Sequence, residues 1–441
     1  MKQLSFLCST LLLFMLPLSV SAQKMELSLH QSIQIALKQN LQYQSSEKSL
    51  DIARSRMYES IGNFLPTIDA TLIRNVKEKV MEIEMPPLSP GMPPTKISID
   101  FTKDYQAALQ LRQPIFAGGA IWNNYRQNHY NYKAMEQNYL KEKLSTIFQV
   151  KQAYYNVLLT EELVKVAEEA MKLRTDLYEN TKLLYEQGMT SKFQLLNSEV
   201  EMENVKPRLI ESRNNTKLAV LAFKNILQLE VDKLIEFTRD LEFVEREFSI
   251  DTLLQLAHKI RPDILQIEYQ SIRMDKLVNM SYASFSPILA LAADYGYRRD
   301  SFSWNSSQWD DNYSINLVLS IPLFQGTQRI FKIQQAKSAR DQVELAVIAV
   351  KTGAELEIKK NYLNFYVAIE KLNTQEKNVS RAEENVHIAD LNYKEGLVTP
   401  LEMSVAQMNL IETRILHLRS LYEYLISLAA LERSVGIENM N

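Results

Sequence analysis

The chain repeats itself, at two fixed steps. Tyr185 to Met202 reads YEQGMTSKFQLLNSEVEM and Tyr393 to Leu410 reads YKEGLVTPLEMSVAQMNL, so one pattern returns 208 residues on: a tyrosine, a lone glycine, a short turn, an apolar-periodic helix start. The same step carries Pro114, Phe116 and Gly118 of QPIFAGG to Pro322, Phe324 and Gly326 of IPLFQGT, and Leu229 to Ile437. Earlier in each half the step is 221, taking Ala36 to Ala257, Glu47 to Glu268, Ser60 to Ser281 and Pro66 to Pro287. Two blocks of constant step that differ by 13 residues mark a duplicated structural unit with one insertion or deletion. The excess falls between Pro66 and Pro114, where the first half carries the proline-rich stretch Met81 to Lys96. The expected organisation is a leader over 1–22, a first repeat over 23–245 and a second over 246–441.

Each repeat is dominated by long helices. With Gly 10 and Pro 13 in 441 residues, few breaks are available, and from about Trp122 to Glu186 there are none. Leu140, Leu144, Ile147, Tyr154 and Leu158 follow coiled-coil seam spacing, and Val343, Val347, Val350 and Ala354 do so in the second repeat. A helix of that length runs roughly 90 to 100 Å at ~1.5 Å per residue. Gly188 and Gly396 fall where these helices must stop, as left-handed C-terminal caps. Thr190 or Ser191, and Thr399 with Pro400, then fit the start of a returning helix. The repeated motif is therefore the tip of an antiparallel helical hairpin.

Between the helices the period changes to two. Tyr313, Ile315, Leu317, Leu319 and Ile321 alternate with Ser314, Asn316, Val318 and Ser320. Similar alternation runs through Tyr105 to Gln113, through Leu289 to Arg298 and, more weakly, through Ile68 to Arg74. Four strands are expected, at about 66–76, 104–114, 287–298 and 312–322. Length, alternation and terminal tyrosines match outer-membrane barrel strands, apolar outward and polar inward. That places Asp69, Gln110, Arg112, Asp294, Arg298 and Asn316 on the lumen side. The other reading of these strands is a half-buried soluble sheet. The segments joining each strand pair, Met85 to Pro94 and Arg298 to Asn312, are expected to be exposed loops. An open four-stranded sheet leaves edges that lipid does not tolerate, so closure requires copies, and three supply twelve strands.

The opening MKQLSFLCSTLLLFMLPLSVSAQ has a basic start, an apolar run and small residues before Gln23, the pattern of a secretory signal peptide cleaved after Ala22. The single cysteine, Cys8, lies inside that run, which leaves no disulfide framework or thiol chemistry for the mature chain. Later segments are too short in apolar run to span a bilayer as helices. A net charge of −3 and 23% charged residues without a basic stripe argue against nucleic acid. The five histidines are scattered and no phosphate loop or nucleophile motif is present, so neither catalysis nor a cofactor or metal is expected.

Taken in order, these features resemble the TolC family of outer membrane efflux proteins across the whole mature chain. The most specific pieces are LPTI at Leu65 with SPIL at Ser286, the QPIF and IPLF strand ends, and the EQGM and EGLV tips. The resemblance implies a mixed α/β membrane protein. In it, duplicated helical hairpins form a periplasmic α-barrel, and four strands per protomer contribute to a trimeric 12-stranded outer-membrane β-barrel. It implies a passive exit duct in the outer membrane of a Gram-negative bacterium. Its partners would be a periplasmic adaptor (membrane fusion) protein and an inner-membrane transporter of RND, ABC or MFS type. Adaptor docking is expected at Gln187, Gly188, Met189, Thr190 and Ser191 and at Glu395, Gly396, Leu397, Val398 and Thr399. The periplasmic constriction is expected at Gln194 and Glu402, each six residues past its tip glycine. Val398 stands where some members carry a basic residue, which puts the family's ionic lock in doubt here. A second reading of the same residues is a periplasmic coiled-coil scaffolding protein without a membrane barrel.

Overall fold

The computed structural model describes residues 25–76, 81–87, 89, 91, 93–99, 105–238, 246–299, 302, 305, 309–395 and 397–440. The expected leader lies outside these residues, as do parts of both strand-joining segments. The elements run β1 (Met25–Leu27), α1 (Leu29–Gln39), α2 (Leu41–Gly62), β2 (Thr67–Arg74), β3 (Met81–Met85), β4 (Thr95–Ile99), β5 (Tyr105–Ala117), α3 (Ala120–Glu186), α4 (Lys192–Leu227) and β6 (Ile235–Phe237). They continue with α5 (Ile250–Ile260), α6 (Pro262–Tyr282), β7 (Ile288–Arg299), β8 (Asp310–Ser320), α7 (Gln328–Lys394) and α8 (Pro400–Val435). Both long helices have 67 residues and both returning helices have 36. Their ends differ by the 208-residue step throughout: 120 to 328, 186 to 394, 192 to 400, 227 to 435. The 221-residue step likewise takes α1 onto α5, both 11 residues long.

The chain divides into two compact units, and each draws on both repeats. One unit combines residues 1–41, 145–247 and 361–433. Its main core is Leu27, Ala36, Val150, Tyr154, Val157, Leu158, Ala219, Phe223, Leu227 and Phe237. β1 and β6 pair in parallel there, Met25 to Ile235 and Leu27 to Phe237, a pair too short for sequence periodicity to reveal. The buried hydroxyl of Tyr154 fastens this pair, 2.5 Å from the Thr238 carbonyl and 3.2 Å from that of Leu27. Lys151 and Glu432 form a buried ion pair at 2.6 Å in the same unit, linking α3 to α8. Nearer the tips, Arg414 of α8 binds both carboxylate oxygens of Glu169 on α3 at 2.9 Å and Glu383 on α7 at 3.0 Å. Arg174 of α3 reaches Glu201 on α4 at 2.6 Å and the hydroxyl of Ser404 on α8. Two arginines thus clasp all four long helices.

The seam assignment needs one correction. Ile147, Tyr154 and Leu158 are buried as expected, but Leu140, two turns before Ile147, is exposed.

The second unit combines residues 42–144, 248–360 and 434–441 and holds the main sheet. Strand order is β2-β5-β7-β8, antiparallel throughout. β2 and β8 are its edges, so within one chain the sheet is open. In this unit Arg261 is clamped by Asp263 at 2.7 and 2.9 Å, by Glu357, and by the Ser434 carbonyl at 2.7 Å. Burial opposes its charge, yet these carboxylates hold the guanidinium above its ordinary pKa. The described residues between Met85 and Thr95 lie in neither strand, as the loop expectation has it, but the segments on either side form an additional hairpin, β3 paired with β4 from Met85–Thr95 to Met81–Ile99. Pro86, Pro87, Pro93 and Pro94 lie between the two strands and leave the alternating flanks free to pair. Among the described residues no helix is long and apolar enough to cross a membrane.

Candidate functional site: strand face and helical tips

In an antiparallel ladder, residues directly opposite share a face and successive residues alternate. Asp69 lies opposite Gln110, Gln110 opposite Asp294, and Asp294 opposite Ser314, one row across all four strands. Arg112 and Asn316 sit in the next row of that face, both opposite Ala292. Arg298, four residues from Asp294, is on the same face. The structure therefore brings all six candidate lumen residues to one side. Ser314 Oγ lies 3.4 Å from Asp294 Oδ2, and Asn316 Nδ2 donates to Ser314 Oγ at 3.1 Å. The opposite side carries Ile68, Leu72, Leu109, Leu111, Leu291, Leu317 and Leu319, continuous in register. At its end Tyr295 and Tyr297 share a hydroxyl–hydroxyl hydrogen bond of 2.6 Å. A sheet apolar on one side and polar on the other suits a boundary between lipid and water.

The two tips are built alike. At the first, Gly188 has φ +71, where a Cβ would be strained, and Met189 N donates to the Leu184 carbonyl at 2.8 Å. At the second, Leu397 N donates to the Asn392 carbonyl at 2.9 Å. Both are the six-to-one bond that closes a helix C-terminus. Gly396 itself lies outside the described residues. Ser191, not Thr190, is the N-cap of α4 and accepts from Gln194 N at 3.3 Å. At α8 the carboxylate of Glu402 accepts from both the backbone nitrogen and the hydroxyl of Thr399 at 2.8 Å, and Glu402 N returns a bond to that hydroxyl at 3.3 Å. That is a complete capping box. It holds the Glu402 carboxyl below its usual pKa, chiefly through the Thr399 amide and then its hydroxyl.

Met189 and Leu397, one step apart, are each 72% exposed. Val398, one of the expected docking residues, is half-buried, as is Thr190 at the matching position. Phe193 and Leu401, again one step apart, are 71% and 67% exposed and were not singled out from the sequence. Asking which positions stay apolar under the 208-residue step would have found them.

The fold and these two surfaces define an outer-membrane channel component. The model of the outer membrane efflux protein family matches residues 32–227 and 253–437, and the chain belongs to that family. Its function is that of an outer membrane exit duct of tripartite efflux or secretion systems, with a periplasmic extension. Alkaline protease secretion protein AprF of Pseudomonas aeruginosa is 19% identical over 351 residues, covering 77% of this chain and 72% of AprF. The crystal structure of the Campylobacter jejuni CmeC outer membrane channel superposes with TM-score 0.76 at 18% identity, covering 92% of this chain and 85% of CmeC. That of the Vibrio cholerae outer membrane protein VceC gives 0.75 at 17%, covering 92% and 96%. The fold is thus that of the TolC-like channels, whose long helices build a helical barrel. These relatives are channels and a secretion protein, not enzymes.

Proposed function

We propose that three copies of this chain close a 12-stranded barrel through which cargo leaves the cell passively. The observation that carries this is the open four-stranded sheet, whose two faces differ in polarity and whose two edges lack partners within the chain. A sheet of four in lipid leaves backbone groups unsatisfied, and only closure removes its edges. Exposed apolar residues on α4 beyond the tip, among them Val200, Leu218 and Leu221, lie away from its buried Val205 and Phe223 and provide a helical surface for contact between copies. In this reading Asp69, Gln110, Arg112, Asp294, Arg298 and Asn316 face the lumen.

The tips, Gln187 to Ser191 and Glu395 to Thr399, dock a periplasmic adaptor that connects the duct to an inner-membrane transporter. Gln194 and Glu402 border the periplasmic end. Both occupy the third position of a capped helix, so the Glu402 carboxylate serves its own cap before any ring of charge. Cargo selection rests with the transporter, which accommodates efflux of small compounds and export of protein alike.

The test is the mass of the detergent-solubilised protein together with its conductance in planar bilayers. Three chains per particle and a conducting pore are expected. A monodisperse monomer, or recovery as a soluble periplasmic protein, would sink the reading in favour of the scaffold.

A further inference from the structure

We infer that the edge strands β8 and β2 pair antiparallel between copies of this chain in one register, with Ser320 opposite Thr71 and Leu319 opposite Leu72 of the next copy. This rests on the assembly proposed above and adds its atomic register. The argument starts from the duplication. In the first hairpin Thr67, Ile68 and Asp69 lie opposite Arg112, Leu111 and Gln110. Steps of 221 and 208 turn these into Ile288, Leu289 and Ala290 opposite Ser320, Leu319 and Val318, the pairs observed in the second hairpin. The duplication therefore preserves register as well as order.

The junction of β5 with β7 joins the second strand of one hairpin to the first strand of the next. The open edges β8 and β2 are those same two strand types, without a partner. Carrying the β5–β7 pairs Arg112–Ala292, Leu111–Ala293 and Phe116–Leu289 through the two steps gives Ser320–Thr71, Leu319–Leu72 and Phe324–Ile68. Each half of every transferred pair is read from the same chain.

Three observations agree with the transfer. Leu319 and Leu72 both lie on the apolar face and Ser320 and Thr71 both on the polar face, whereas a slip of one residue would mismatch every row. β5 continues to Ala117 because residues 113–117 pair with β7 alone. Their equivalents, Ile321 to Gln325, lie past the end of β8, with Leu323 90% and Phe324 85% exposed. Lastly, a Cβ on Gly118 would come 2.2 Å from Ser286 Cβ, while Gly326 has nothing within 4 Å. The transferred neighbour of Gly326 is Leu65 of the next copy, a residue exposed in the single chain.

Cysteine crosslinking reads the register directly. Opposed strand residues sit about 4.5 to 5.5 Å apart, within disulfide reach, and two-residue diagonals at about 7 to 8 Å are beyond it. Thr71→Cys with Ser320→Cys, and separately Leu72→Cys with Leu319→Cys, should oxidise in detergent to a covalent three-chain species. Asp69→Cys or Ile73→Cys with Ser320→Cys should stay at single-chain mass in denaturing gels. Crosslinking by a shifted pair and not the matched ones, in particles that still weigh three chains, would overturn the register while leaving the assembly standing. Particles of one chain would overturn both.

Discussion

Glu402 Oε2 lies 2.8 Å from the backbone nitrogen and 2.8 Å from the hydroxyl of Thr399, so the second tip is closed by a carboxylate that is already engaged. A group whose folded pKa is depressed contributes stability above its unfolded pKa, and loses it as pH falls through the folded value. The protection factor of the amides at the start of α8, with the intrinsic pH dependence of exchange divided out, should therefore be high near neutrality and fall below the ordinary glutamate pKa of about 4.3. Glu402→Ala should lower the protection factor near neutrality and have least effect in acid, and Glu402→Gln, which keeps an acceptor, should flatten the dependence. A wild-type profile that is flat through the acid range would show the cap to be unimportant.

Leu397→Asp should abolish transport while the trimer survives, because it charges an exposed apolar apex without touching the core. Phe193→Asp and Leu401→Asp should weaken adaptor crosslinking in the same way. Full transport and full crosslinking in all three would reduce the motif to a helix turn.

Leu317→Arg should impair membrane insertion more than Asn316→Arg. Arginine costs about 2–4 kcal/mol on a lipid face near the midplane and little in a wet lumen. The readout is the heat-stable fraction recovered from outer membranes, and equal recovery of the two variants would invert the face assignment.

Glu432→Ala should destabilise the first unit by about 3–5 kcal/mol, since it removes the carboxylate that pairs with the buried ammonium of Lys151. Lys151→Met with Glu432→Leu should restore most of that loss. Thermal unfolding of the three variants decides it, and a harmless single substitution would mean that water reaches the site.

Much of this was legible because the duplication checks itself. Alternation around Leu317 and Asn316 fixed the faces, and the steps of 208 and 221 located helix ends that propensity alone leaves loose. The proline-rich stretch hid the β3–β4 hairpin, since prolines dominate composition while the pairing strands flanking them are short. The β1–β6 pair spans three residues per strand and depends on a partner 210 positions away, Met25 to Ile235, which no local window registers. Thr399-Pro-Leu-Glu402 did carry a capping-box signature. The resemblance reads the same Glu402 as a constriction residue, a role that its place in the cap does not exclude.

The fastening of β1 by β6 and Tyr154 also bears on how such a chain is made. A chain that appears from its N-terminus presents Met25 to Leu27 early, and they find no strand to join until Phe237 has followed. Tyr154, which grips both, arrives between them. The core around Leu27 and Phe223 is therefore closed by its most distant parts, and contacts of such separation form slowly.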